Sequence, residues 1–403
     1  MNEPASDAVR AHLRGYPTVA LVLQGGGALG GYQCGVYERM RAAGIAPNWF
    51  AGISIGAINA AILAGNAPQD RVGRLRAFWD TVSDPSGPLA LPAVALRGMI
   101  ACQPDHPGLL AWSRNLGAVG AMLHGQRGFF QPRPLSPYLF SDGSDAATSF
   151  YDTSPLRDTL LRLVDFDRIN DTPGVRLTVG AASVTSGNFR YFDSALEEIR
   201  VEHILASAAL PPAFPAVEID GEPFWDGGIV SNTPLEYILE CQPHEDTLVL
   251  QVDLWSARGA RPKTMLDVLE RIKDIRYSSR TRHGTQMVEV AQKLRTSLKE
   301  LIARLPEGRL PPHLEEALSP YLDDRVFNII HLIYQAKPHE QESKDYAFGP
   351  IPLREHWGSG VHDMDRTLRH PEYFALPDRA LGVATHDIHR RRPAGSPRTR
   401  SRG

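Results

Sequence analysis

Cysteine is scarce in this sequence. Three in 403 residues, Cys34, Cys102 and Cys241, are too few and too scattered for a disulfide framework or a four-ligand zinc site. A reducing compartment is the simplest setting, so a cytoplasmic location is expected. Excess charge is lacking as well: lysine and arginine total 43 against 46 aspartate and glutamate, a net −3, and no global field draws the chain to nucleic acid. Long hydrophobic runs are also missing. The opening MNEPASDAVRAHLRG has no apolar signal core, and the most apolar early stretch, Ala51 to Gly65, is too short to cross a bilayer.

What is present suits a folded, loop-rich protein of enzyme size. The length is two to three times the ~150 residues of a usual domain, and 42% of residues are hydrophobic, enough for a packed interior. Glycine and proline, 35 and 32 residues, exceed their usual combined share of about 12%. After a lead at 1–16, residues 17–255 alternate apolar, β-branched runs with helical patterns. Pro17–Gln24, Val175–Val184 and Asp246–Leu254 read as buried strands, and Gly30–Gly44 and the stretch after Gly56 as helices. Such alternation predicts an α/β sheet with crossover helices. A Pro/Gly-rich stretch at 84–150 reads as a lid-like insertion. Residues 256–385 read as a mainly helical extension, whose apolar positions Met265, Leu269, Ile272, Val290, Leu294, Leu298 and Leu301 form a stripe expected to pack on the sheet. Residues 386–403 read as a disordered basic tail, with six arginines from 390 onward.

Three glycine-framed turns carry the chemistry. Gly52-Ile53-Ser54-Ile55-Gly56 fits GxSxG, in which small flanking residues let a strand turn sharply into a helix and lift a serine hydroxyl out of the sheet. Alone the pattern is common, and many such turns do no chemistry. Gly25-Gly26-Gly27-Ala28-Leu29-Gly30-Gly31 directly follows the first strand; glycines there permit backbone angles that converge N–H groups on one spot. A dinucleotide fingerprint fits poorly, because Ala28 replaces a glycine and no acidic residue ends the second strand. An oxyanion hole suits the loop better. The third turn, Asp226-Gly227-Gly228 followed by Asn232, leaves a carboxylate uncluttered on one side, with the asparagine able to brace the loop.

Taken together and in this order, GGGALGG, GISIG, Ala206–Gly221 (ASAALPPAFPAVEIDG) and DGGIVSNTP resemble the patatin-like phospholipase family of serine lipid acyl hydrolases. The resemblance implies a three-layer α/β/α fold and a Ser–Asp dyad without a catalytic histidine. Ser54 matches the nucleophile, Asp226 the base, and Gly25, Gly26 and Gly27 the oxyanion loop; neither metal nor cofactor is called for. Leu29 is a departure, since the family often places lysine or arginine there. Lys273–Arg282, Ile329–Gln335 and Ser343–Pro350 resemble the C-terminal extension of a bacterial subgroup, to which chemistry alone assigns no role. The substrate implied is a phospholipid or other lipid ester, approached by transient contact with a membrane or lipid droplet. A hydroxybutyrate oligomer or polyester is the alternative substrate, and a non-catalytic lipid-binding protein of the same fold the alternative function.

A Ser-His-Asp triad is the rival mechanism, with His203, His244, His283 and His362 as candidates. Chain order opposes it, because only one strand unit precedes Ser54, whereas an α/β-hydrolase elbow follows several. Trp49, Phe50, Phe129, Phe130, Tyr138 and Phe140 read as ordinary core, with an acyl-chain groove as the alternative, and Lys273, Arg276, Arg280 and Arg282 as a solvated or salt-bridged helix face, with anionic headgroup contact as the alternative.

Overall fold

The computed structural model describes residues 7–84, 120–241, 245–306, 310–318, 322, 324–337 and 342–389. Most of the expected lid, the arginine-rich tail from 390, Cys102, His244 and the side chain of His283 lie outside the described residues. Helix α1 (Asp7–Leu13) leads into strand β1 (Thr18–Leu23), and α2 (Gly31–Ala42), β2 (Trp49–Gly52), α3 (Ile55–Ala64) and α4 (Arg71–Ser83) follow. A two-residue ribbon pairs β3 (Gln131–Pro132) with β4 (Tyr151–Asp152). Then come β5 (Arg176–Ser183), β6 (Phe189–Asp193), β7 (Val217–Ile219), β8 (Glu222–Asp226), β9 (Thr247–Asp253), β10 (Phe327–Ile333) and β11 (Val383–Asp387). All but the ribbon join one nine-stranded sheet.

β1 is buried along its whole length, as its uninterrupted TVALVL requires of a central strand covered on both faces. It pairs in parallel with β2 on one side, Ala20 opposite Trp49, and with β9 on the other, Ala20 opposite Val249. Alternate side chains divide between two cores. Leu21 and Leu23 join residues of α2, α3 and α4 in the larger core, while Ala20 and Val22 meet Leu235, Ile238 and Leu239 of the helix Leu235–Glu240. The sheet is therefore the middle layer of three.

The extension differs from its expected form in two ways. It contributes strands as well as helices, because β10 pairs in parallel with β9 and β11 with β10, lengthening the same sheet. The apolar stripe of the long helix Met265–Ala303 faces away from the body, with Met265, Leu269, Ile272, Val290, Leu294 and Leu301 exposed. The docked face is the opposite, polar one. Asp274, Ser278 and Gln292 are buried there, Arg271 donates to the Ser256 carbonyl at 3.3 Å, and Lys299 pairs with Asp324. A later helix of the extension, Pro350–Leu368, packs on α2 where two glycines meet. A Cβ at Gly35 would strike the Trp357 carbonyl, and one at Gly360 the Tyr32 carbonyl.

One feature of β5 positions the site. β6 pairs with Thr178–Ala182 along one edge, so β2, opposite Arg176–Val179, and β8, opposite Ala181–Ser183, share the other edge. β2 runs parallel to β5 and β8 antiparallel, so their C-terminal ends point at each other. Only Gly180 separates the partners of Gly52 and Asp226.

Candidate active site

The GISIG segment forms the expected elbow between β2 and α3. Ser54 sits at φ 56° and ψ −126°, left-handed backbone that a residue with a side chain rarely adopts and that costs on the order of 1–3 kcal/mol. The flanking glycines are required by space. A Cβ at Gly52 would run into the Gly56 carbonyl, and one at Gly56 into the Leu23 carbonyl. The buried Ser207 steadies the turn, its carbonyl accepting the Ser54 N–H at 3.1 Å. Ser54 caps α3 without using its hydroxyl for the cap.

Asp226, the last residue of β8, is 1% exposed. Its Oδ1 accepts the Gly228 N–H at 2.7 Å, and its own N–H donates to the Ala209 carbonyl at 2.9 Å. Burial pushes its carboxyl up to about 7, against hydrogen bonds from the Ser54 side chain and the Gly228 N–H that pull it down. Such a value places a carboxylate where a general base works best near neutral pH.

The glycine loop leaves β1 and is held from several sides. Gln24 accepts the Leu254 and Trp255 N–H groups at 2.6 and 3.2 Å, and Gly25 O accepts Asn232 Nδ2 at 2.9 Å and Trp255 Nε1 at 2.8 Å. The Gly25 N–H is engaged by the Asn232 carbonyl at 3.3 Å. Asn232 thus ties the glycine loop to the Asp226 turn. Gly27 takes φ +55°, and a Cβ there would strike the Asp345 carbonyl. Leu29 lies fully buried in the larger core, where no charged side chain would be accommodated without a partner.

Ser54, Asp226, Gly25, Gly26, Gly27 and Asn232 line one cleft enclosing roughly 930 Å³, its open mouth included. One wall is apolar, built by Phe129, Phe130, Leu210, Phe214 and Phe348; the other carries Trp255, Tyr277, Asp345 and Tyr346. Phe129 and Phe130 therefore line the cleft as well as packing, whereas Trp49 and Phe50 are core and Tyr138 is 87% exposed. Sequence reasoning did not find Phe214 or the second wall. The signals for the latter were Lys273–Arg282, which holds Tyr277, and Ser343–Pro350, which holds Asp345 and Tyr346, segments that matched the resemblance without suggesting a chemical task.

No histidine is among the described residues lining the cleft. His203 is buried against Phe192, with Nδ1 accepting the Arg200 N–H at 2.8 Å, and burial pushes it down to about 4. His362 is exposed on the helix Pro350–Leu368. Among the described residues there is no group of three or more His, Cys, Asp or Glu able to hold a metal ion, and no helix long and apolar enough to cross a membrane.

A comparison with curated proteins returns no match. Among solved structures, VipD from Legionella pneumophila aligns at a TM-score of 0.35 and 14% identity, over 88% of this chain and 67% of that one. Two family models match, one described as Patatin-like phospholipase over residues 21–239 and one described as Patatin phospholipase over residues 275–380. The first spans the three glycine turns and more than half of the sequence, and the second spans most of the extension: the chain belongs to the patatin-like phospholipase family.

Proposed function

We propose that, within the lipid acyl hydrolase activity that family membership brings, this chain cleaves carboxylic esters of long-chain lipids through Ser54 and Asp226. The observation that carries the reading is the strained Ser54 elbow beside a buried carboxyl with a raised pKa, at the foot of a mostly apolar cleft. Asp226 takes the hydroxyl proton as Ser54 Oγ attacks the ester carbonyl. The developing oxyanion is received by backbone N–H groups of the glycine loop, and since Asn232 engages that of Gly25, Gly26 and Gly27 supply them. Collapse of the tetrahedral intermediate expels the alcohol, which takes the proton back from Asp226. Water then hydrolyses the acyl-enzyme by the same route.

Phe129, Phe130, Phe214 and Phe348 offer the acyl chain an aromatic wall. Met122 and Tyr346 line the cleft and are 52% and 41% exposed, an apolar rim suited to a substrate presented by a membrane or lipid droplet. A fluorophosphonate probe tests the nucleophile: it labels the wild type and spares Ser54→Ala. A panel of p-nitrophenyl esters, phospholipids and hydroxybutyrate oligomers then ranks the substrates. Hydroxybutyrate oligomers turned over faster than long-chain lipid esters would overturn the substrate assignment, and labelling of Ser54→Ala the mechanism.

A further inference from the structure

The extension reaches the cleft through Tyr277 of the long helix and through the segment that begins with the short turn Glu342–Asp345, and it is this turn that meets Gly27. This turn is locked to the long helix by crossed ion pairs. Lys344 Nζ lies 2.7 Å from Asp274 Oδ1 and 3.0 Å from Glu270 Oε1, and Lys273 Nζ lies 3.1 Å from Asp345 Oδ2. Arg271, 3.8 Å from Asp274, adds a further cation to the cluster. The Lys344 side chain is only 3% exposed, so the pairing is an interior device. Inside a protein such pairs add little net stability over apolar packing, and fixing one arrangement is their better-attested use.

Two contacts carry that arrangement to the glycine loop. The atoms nearest the position of a Cβ at Gly27 all belong to the Asp345 backbone. Lys344 Nζ stands 5.2 Å from the centre of the Trp255 ring, whose Nε1 holds Gly25 O. A run of three glycines has no side chains with which to fix itself, while an oxyanion hole requires its donors to be held in place before the charge appears. The Asn232 side of the loop is secured by the catalytic strands themselves. The Gly27 side rests on the Asp345 backbone, with His356 Nδ1 3.2 Å from the Ala28 carbonyl just beyond it.

We propose that Lys344 is a positioning residue for the oxyanion loop: clamped by Glu270 and Asp274, it seats the Asp345 backbone against Gly27 and Trp255 against Gly25. The inference rests on the Ser54–Asp226 reading. It assigns the extension a task in the acyl-transfer step itself, and it explains how the loop is supported with Leu29 at the position the family often gives to a base.

The test is steady-state hydrolysis of a short, soluble p-nitrophenyl ester by the full chain. Lys344→Met is expected to lower kcat about 30- to 300-fold, short of the ~100- to 1,000-fold loss of a whole donor. KM should stay within about threefold of wild type and the pH midpoint should be unchanged, because substrate contacts and Asp226 are untouched. Lys344→Arg should recover most of kcat. If Lys344→Met does not fold, it is replaced by the variant that adds Glu270→Gln and Asp274→Asn, which buries no unpaired carboxylate at that position and should show the same kcat loss. A folded variant with kcat within threefold of wild type overturns the proposal, as does a loss that appears in KM or moves the pH midpoint. Turnover by wild type but not Ser54→Ala, with Lys344→Met fully active, sinks this inference alone. Equal turnover by wild type and Ser54→Ala sinks the functional reading as well.

Discussion

Replacing Asp226 by asparagine should abolish catalysis and stabilise the fold, and the stabilisation should depend on pH in a calculable way. The carboxyl is wholly buried and pushed from 3.8 to about 7 by loss of hydration. Because its folded value lies above its unfolded one, its contribution is fully present below about pH 4 and is lost as pH rises through about 7. The gap of roughly three units, at about 1.4 kcal/mol per unit, makes the ionised group cost the folded state about 4 kcal/mol at pH 8. At pH 5, only a little above the unfolded value, the cost is less than half of that. Asparagine keeps an Oδ1 for the Gly228 N–H and carries no charge. Its advantage over wild type should therefore grow by about 2–3 kcal/mol between pH 5 and pH 8, whatever pH-independent cost the substitution brings. Urea unfolding at the two pH values reads this directly as a change in midpoint at constant slope. An advantage that stays flat or shrinks toward pH 8 would show that the carboxylate is not held at a raised value, and the account of Asp226 as a base tuned by burial would fall. Retained ester turnover in the same variant would remove Asp226 from the chemistry altogether.

The same raised value predicts that kcat/KM of wild type climbs with pH to a plateau, with a midpoint near 7 as Asp226 loses its proton; a midpoint near 4 would contradict it. Gly27→Ala combines a positive φ with a collision at the Asp345 carbonyl, so kcat should fall by about 100-fold or more while the chain stays folded by circular dichroism. Phe129→Ala removes part of the apolar wall, and kcat/KM should drop at least about tenfold for long-chain p-nitrophenyl esters with little change for the acetate. Equal losses on both esters would place Phe129 in the core only.

The parts of the site that are local in sequence were legible, and those made by distant strands were not. The GxSxG elbow and glycine loop declare themselves because sharp turns need glycine at fixed spacing, and Gly52 and Gly56 are indeed where a side chain would collide with backbone. That Ser54 and Asp226 should meet depends instead on β2 and β8 sharing one edge of β5, a pairing that no spacing encodes. Buried strand β1 was readable from its uninterrupted apolar run, and β9 from the apolar Leu248–Leu250 ahead of Gln251. Periodicity located the stripe on the long helix but gave its direction wrongly. A stripe says which residues share a face, and buried polar contacts at Asp274, Ser278 and Gln292 chose the other face for docking. Phe129 and Phe130 follow a stretch rich in proline and glycine, where no periodicity distinguishes a cleft wall from core.

The parallel pairing of β10 with β9 bears on how this protein can be shortened or recombined. Ended after Trp255, the polypeptide would retain every group assigned to bond cleavage, yet β9 would present seven residues of bare backbone along a strand that is otherwise fully buried. Such an edge invites pairing between molecules. The natural unit of inheritance is thus the two matched segments together, and a gene fragment encoding only the first should yield insoluble aggregates.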